Sequence, residues 1–120
     1  MKKVLVVDDS LLIREYLKIV LEQHEFEVVG EAKDGNEALE KYKELSPDVV
    51  TMDILMPRVD GIKAIQEIKE YDSQANIVVV SSANNENDIK KAIIQGAKSI
   101  ITKPFNEEML IKTLNLATMS

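Results

Sequence analysis

The chain has no cysteine and no tryptophan, one histidine, four glycines and three prolines. Without cysteine there is no disulfide framework and no thiolate chemistry, which fits a reducing, cytoplasmic setting. Aromatic residues make up only 4% of the chain, too few for base-stacking platforms. A formal net charge of -6 argues against a basic nucleic-acid groove. Long hydrophobic runs are also missing. After the basic start Met1-Lys2-Lys3, the run Val4-Leu5-Val6-Val7 stops at Asp8, too short for a signal peptide or membrane helix. Behind that run stands Asp8-Asp9-Ser10-Leu11, where a nucleotide or flavin binder would carry a glycine-rich cradle. No linker, repeat or low-complexity tract interrupts the chain.

What remains is ordinary globular material. The chain has 120 residues, 45% hydrophobic and 30% charged. That is enough for one domain, 1–120, with a real core. Val4 to Val7 reads as a strand buried on both faces, as in a parallel sheet. Asp8, Asp9 and Ser10 are good helix caps, and Ile13, Tyr16, Leu17, Val20 and Leu21 follow at helical spacing. Phe26, Val28 and Val29 form a second strand that Gly30 weakens. Asp34-Gly35-Asn36 is a turn, and Ala38, Leu39, Tyr42 and Leu45 are the apolar stripe of a second helix. Val49 to Met52 is the third strand, and Met56 to Gly61 a loop set by Pro57 and Gly61. Ile62, Ile65 and Ile68 mark the third helix, and Ile77 to Val80 the fourth strand. Asn84 to Asp88 offers several caps for a fourth helix whose stripe begins with Ile89, Ala92 and Ile93. Ile94 is expected to be half-buried, and Gly96 ends the helix. Ser99 to Thr102 is the fifth strand. Asn106 caps a last helix that buries Leu110, Leu114 and Ala117. Glu86, Asp88, Glu107 and Glu108 suit the first turns of their helices, and His24 is a surface residue at a helix end. Strands and helices alternate throughout, which argues for a parallel sheet covered on both faces.

Asp8, Asp9, Asp53, Ser82 and Lys103 each fall at or just after the carboxyl end of a strand. In a parallel sheet those ends share one edge, where ligands bind. Singly, each has a dull reading: caps, a turn hydroxyl, an exposed lysine. Together they are harder to dismiss. If the first and third strands are neighbours, the carboxylates converge, and without a cation they would repel one another. Clustered carboxylate oxygens suit Mg²⁺, with Mn²⁺ as an alternative. Metal and ammonium charge beside clustered carboxylates suit transfer of a phosphoryl group to one of them, which would be the nucleophile.

These residues stand in Val6-Val7-Asp8-Asp9-Ser10, Met52-Asp53-Ile54-Leu55-Met56-Pro57 with Asp60-Gly61, Ser81-Ser82-Ala83, Gly96-Ala97 and Lys103-Pro104-Phe105. In that order the motifs resemble the receiver domain of two-component response regulators along essentially the whole chain. Among receivers the likeness is strongest to stand-alone chemotaxis regulators. The resemblance implies a flavodoxin-like (βα)5 fold, doubly wound, with strand order 2-1-3-4-5. It implies Asp53 as phosphoacceptor, Asp9 as direct Mg²⁺ ligand, Asp8 orienting metal-bound water, and the Leu55 carbonyl completing the coordination. Ser82 would hydrogen-bond the phosphoryl group and Lys103 would pair with its oxygens, beside a cis Lys103-Pro104 bond. The donor would be a sensor histidine kinase or a small molecule such as acetyl phosphate. Output would pass through the fourth helix, fifth strand and fifth helix to another protein, such as a flagellar motor switch, with a phosphatase as a further partner. A monomer is expected, without nucleic-acid or membrane partners. Its only chemistry would be its own aspartyl phosphorylation and dephosphorylation.

One departure matters. Ile100 stands where many receivers carry a switch Tyr or Phe, and an aliphatic side chain can neither rotate a ring nor donate a phenol hydrogen bond. Leu55 and Asn84 flank the expected phosphoryl site, where apolar Leu55 is expected to hinder attacking water and lengthen the phosphorylated lifetime. Asp60 matches the family's loop acid and is given no chemistry. The competing readings are a phosphorelay intermediate, a receiver fragment of a larger regulator, a degenerate module, or an aspartyl-phosphate phosphatase. The last would carry a second Asp where Leu55 stands.

Overall fold

The computed structural model describes residues 1–56, 61–82 and 85–119. The expected turn around Pro57, with Asp60, and the flanking residue Asn84 lie outside them. Ten elements alternate: β1 (Lys2–Val7), α1 (Leu11–Gln23), β2 (Phe26–Ala32), α2 (Gly35–Leu45), β3 (Val49–Met52), α3 (Gly61–Tyr71), β4 (Ile77–Ser81), α4 (Glu86–Gln95), β5 (Ser99–Thr102) and α5 (Glu107–Thr118). The strands form one parallel sheet in the order β2-β1-β3-β4-β5, the order the resemblance implied.

The unbroken apolar runs follow from that topology. Successive side chains on a strand point to opposite faces. Leu5, Val7, Val50, Met52, Ile77 and Val79 pack under α2, α3 and α4 against Ala38, Tyr42, Ala64, Ile65, Ile68 and Ala92. Val4, Val6, Val49, Val78, Val80 and Ile101 pack on the other face against Leu17, Val20 and Leu21 of α1 and Leu110, Leu114 and Ala117 of α5. Side-chain caps fix the helix starts. Ser10, Asp34, Asn85 and Asn106 each accept a backbone N–H of the first turn. Gly96 closes α4 at φ +119°, a left-handed angle that glycine adopts freely.

Several expectations need correction. β2 runs to Ala32, beyond Val29, because the β1–β2 register slips between Val4 and Leu5, so that Gly30 sits at an irregularity and the strand continues. Gly35 and Asn36 belong to the first turn of α2, since the Asp34 side chain accepts the Glu37 N–H and the helix begins at Gly35, within the expected turn. Tyr16 is 44% exposed and lies beside the Phe105 ring at 6.0 Å between centroids instead of sinking into the core. On α4 only Ala92 is buried, while Ile93 and Ile94 are 55% and 78% exposed. The helix turns its narrowest side chain to its neighbour, so neither isoleucine reaches the core. Among the described residues, no helix is long and apolar enough to cross a membrane.

Candidate functional site

The parallel register places the ends of β1, β3, β4 and β5 along one edge. β1 pairs with β3 through Val7 and Met52, which brings the next residues, Asp8 and Asp53, side by side. The Asp53 N–H donates to the Val7 carbonyl at 3.0 Å, and the Asp8 N–H donates to the Ala32 carbonyl at 3.0 Å. Both acids are therefore clamped by strand-like bonds that outlast the strands. Asp8 is 2% exposed and Asp53 4%, whereas Asp9 faces solvent. One ligand oxygen from each of Asp8, Asp9 and Asp53 lies within 4.8 Å of the others. Three hard oxygen donors at that spacing fit a divalent cation such as Mg²⁺.

Lys103 extends from just beyond β5 to the same point. Its Nζ donates to Asp8 Oδ2 at 2.7 Å and stands 3.8 Å from Asp53 Oδ2. The Lys103–Pro104 bond is cis. Asp53 Oδ1 accepts the Leu55 N–H at 3.0 Å and the Ser81 hydroxyl at 2.9 Å. Burial nevertheless pushes the Asp53 carboxyl above the usual carboxylate range. The Leu55 N–H, the Lys103 ammonium and the Ser81 hydroxyl pull it back, while the Asp8 charge raises it further. The Leu55 side chain is 49% exposed at the mouth of the site. Ser82 follows β4 and is exposed.

Two polar contacts lay outside the sequence reading. The Ser81 hydroxyl, to which the sequence reading gave no role, holds Asp53 in this structure. The signal was the β3–β4 register, in which Met52 faces Val79, so Asp53 reaches the level of Val80 and Ser81. The second is Arg14 on α1. Its Nη1 donates to the Asp8 carbonyl at 2.7 Å and its Nε to Glu31 on β2 at 3.0 Å. A lone arginine one turn past an acid pair was the only trace of it. Ile100, at the expected switch position, is half-buried and packs against the α2–α4 side of the core. His24 is the exposed C-cap of α1, remote from the acids.

Comparison with known proteins gives one answer. The family model described as the response regulator receiver domain matches residues 4–115. A chemotaxis protein CheY of Bacillus subtilis is 46% identical over 113 residues, covering 94% of both chains. A chemotaxis protein CheY of Thermotoga maritima is 47% identical over 114 residues, covering 95% of both. Among solved structures, the CheX-CheY-BeF3-Mg²⁺ complex from Borrelia burgdorferi contains a chain that aligns with a TM-score of 0.94 and 33% identity, over 99% of this chain and 90% of that one.

Proposed function

The chain belongs to the response regulator receiver domain family, and from that premise we propose that it accepts a phosphoryl group on Asp53 and passes the signal to another protein. The observation that carries this reading is the meeting of Asp8, Asp9, Asp53 and Lys103 at one sheet edge. Asp53 is the proposed acceptor: its Oδ1 is held by the Leu55 N–H and the Ser81 hydroxyl, and its Oδ2 stands 3.8 Å from the Lys103 ammonium. A carboxylate oxygen of Asp53 attacks the donor phosphorus and forms a new P–O bond. The donor's P–N bond in a phosphohistidine, or P–O bond in acetyl phosphate, breaks and its electron pair stays with the departing imidazole or acetate.

Asp9, Asp53 and the Leu55 carbonyl would hold Mg²⁺ or Mn²⁺, and Asp8 would orient its water. When bound, the cation neutralises charge on the phosphoryl oxygens. Lys103 supplies the matching charge from the protein and Ser82 a hydroxyl. Ser81 keeps Asp53 in place until then. A sensor histidine kinase is the proposed donor. The names of the relatives favour an output in chemotaxis, with residues 1–120 acting as one receiver unit and as a monomer. α4, β5 and α5 are the proposed output surface. The CheX-CheY complex suggests a further partner that acts on the phosphorylated form.

The test is intact mass after incubation with acetyl phosphate and Mg²⁺, beside Asp53→Ala. A phosphoryl group gained only by the parent, and only with metal, supports the reading. Equal labelling of the variant, or none in either protein under conditions that label another receiver and with a histidine kinase as donor, rejects it.

A further inference from the structure

The least supported member of the acid cluster is Asp9. It is exposed, and among the described residues no hydrogen bond or ion pair holds its carboxylate. Its position is set through the backbone. The Asp8 carbonyl belongs to the planar peptide that leads into Asp9, so fixing that oxygen fixes the plane from which Asp9 projects. Arg14 is the group that fixes it, at 2.7 Å through Nη1. The guanidinium is itself pinned, because Nε donates to Glu31 at 3.0 Å and the side chain is only 14% exposed. One rigid fork thus ties the turn between β1 and α1 to β2, a geometry an ammonium cannot reproduce.

Resting on the metal-site reading above, we propose that Arg14 is a positioning residue for cation binding: held by Glu31, it fixes the Asp8–Asp9 peptide and so presents the Asp9 carboxylate. Glu31 also balances the guanidinium charge, which leaves orientation as the main effect of Arg14 on the site. Supports that do not touch the metal commonly change its affinity by about 10–100-fold.

The sign of the effect separates this role from a simple charge effect. On charge alone, deleting a cation beside a cation site tightens Mg²⁺ binding. On positioning, deletion weakens it. The experiment is calorimetric titration of Mg²⁺ into the unphosphorylated parent, Arg14→Ala and Arg14→Lys, with thermal melts as the check on folding. Arg14→Lys keeps the charge without the fork, and serves alone if Arg14→Ala does not fold. Mg²⁺ affinity is expected to fall about 10-fold in each folded variant. Acetyl phosphate labelling at saturating Mg²⁺ should return to within about two-fold of the parent, which a merely disrupted fold would not allow. Unchanged or tighter Mg²⁺ binding in a folded variant overturns the role of Arg14. Absence of Mg²⁺ binding in the parent overturns the metal-site reading, and the role of Arg14 with it.

Discussion

Helices α3 and α4 lie side by side on one face of the sheet and are held in very different ways. α3 buries Gly61, Ala64, Ile65 and Ile68, and the backbone of Asp53 and Ile54 lies directly against Gly61. α4 buries Ala92 alone. Its ends are closed locally, by the Asn85 cap and by the Gly96 C-cap, whose α-carbon faces the stem of Lys69. Burying a large aliphatic side chain contributes roughly 1.5–3 kcal/mol, so α3 carries two such contributions, from Ile65 and Ile68, where α4 carries none from a fully buried large side chain. α3 therefore behaves as part of the site's foundation. α4 can shift at low cost, and an element that a signal repositions has to come from that end of the stability range.

The sharpest way to break this contrast is to cut matching side chains. Ile65→Ala empties a fully buried position on α3 and should cost about 2–5 kcal/mol in urea unfolding. Ile93→Ala on α4, already 55% exposed, should cost under about 0.5 kcal/mol. Equal losses would show that α4 is packed as firmly as α3. The next effect tests the foundation itself. A methyl at Gly61 would press on the Asp53 carbonyl and the Ile54 α-carbon, backbone atoms with little room to yield. Gly61→Ala should cost about 1–3 kcal/mol. It should also slow acetyl phosphate labelling at Asp53, because the backbone it displaces is that of the acceptor. Normal labelling would uncouple α3 from the site.

A smaller effect concerns the charge that this foundation carries. The Asp53 carboxyl is raised, chiefly by burial, so the folded state prefers its protonated form. Ionisation then opposes folding. The penalty is absent below the unfolded value, near pH ~3.9, and complete once pH rises past the folded one. Asp53→Asn keeps an oxygen that can accept from Ser81 and Leu55, and removes the charge. Its melting temperature should exceed the parent's at neutral pH. The two curves should converge as pH falls through the carboxylate range. A gap independent of pH would mean that the charge is not its cause.

The same contrast explains what the sequence could and could not tell. Val4 to Val7 and Val49 to Met52 were legible as strands because a parallel sheet buries both faces, leaving unbroken apolar runs. Asn106 was legible as a cap, and Ser10 as one of three candidates, because capping is local. α4 was legible as a helix ended by Gly96, with Ala92 in its stripe, but its rotation was not: adjacent isoleucines fit a helical stripe in more than one way, and the packing that buries Ala92 leaves Ile93 and Ile94 exposed. The acids could be placed on one edge, but their meeting needed the strand order, which came from the family resemblance. The Ser81 contact to Asp53 needed the β3–β4 register. Arg14 needed its contact to Glu31, 17 residues away, which no local pattern records.

The smallest expected effect on stability is the most telling one for α4. Ile94 is 78% exposed, so its side chain already meets water in the folded state. Replacing it by lysine therefore removes almost no buried surface and keeps a good helix former in place. Ile94→Lys should change unfolding free energy by less than about 0.5 kcal/mol and leave acetyl phosphate labelling of Asp53 unchanged. A large apolar side chain so far out of the core stabilises little within the fold, and on the proposed output surface its contact area is available to a partner. A loss above about 1 kcal/mol, twice the surface norm, would mean that Ile94 packs in solution against α3 or β5. α4 would then be anchored through a contact that its exposed position does not provide, and its contrast with α3 would lose its basis.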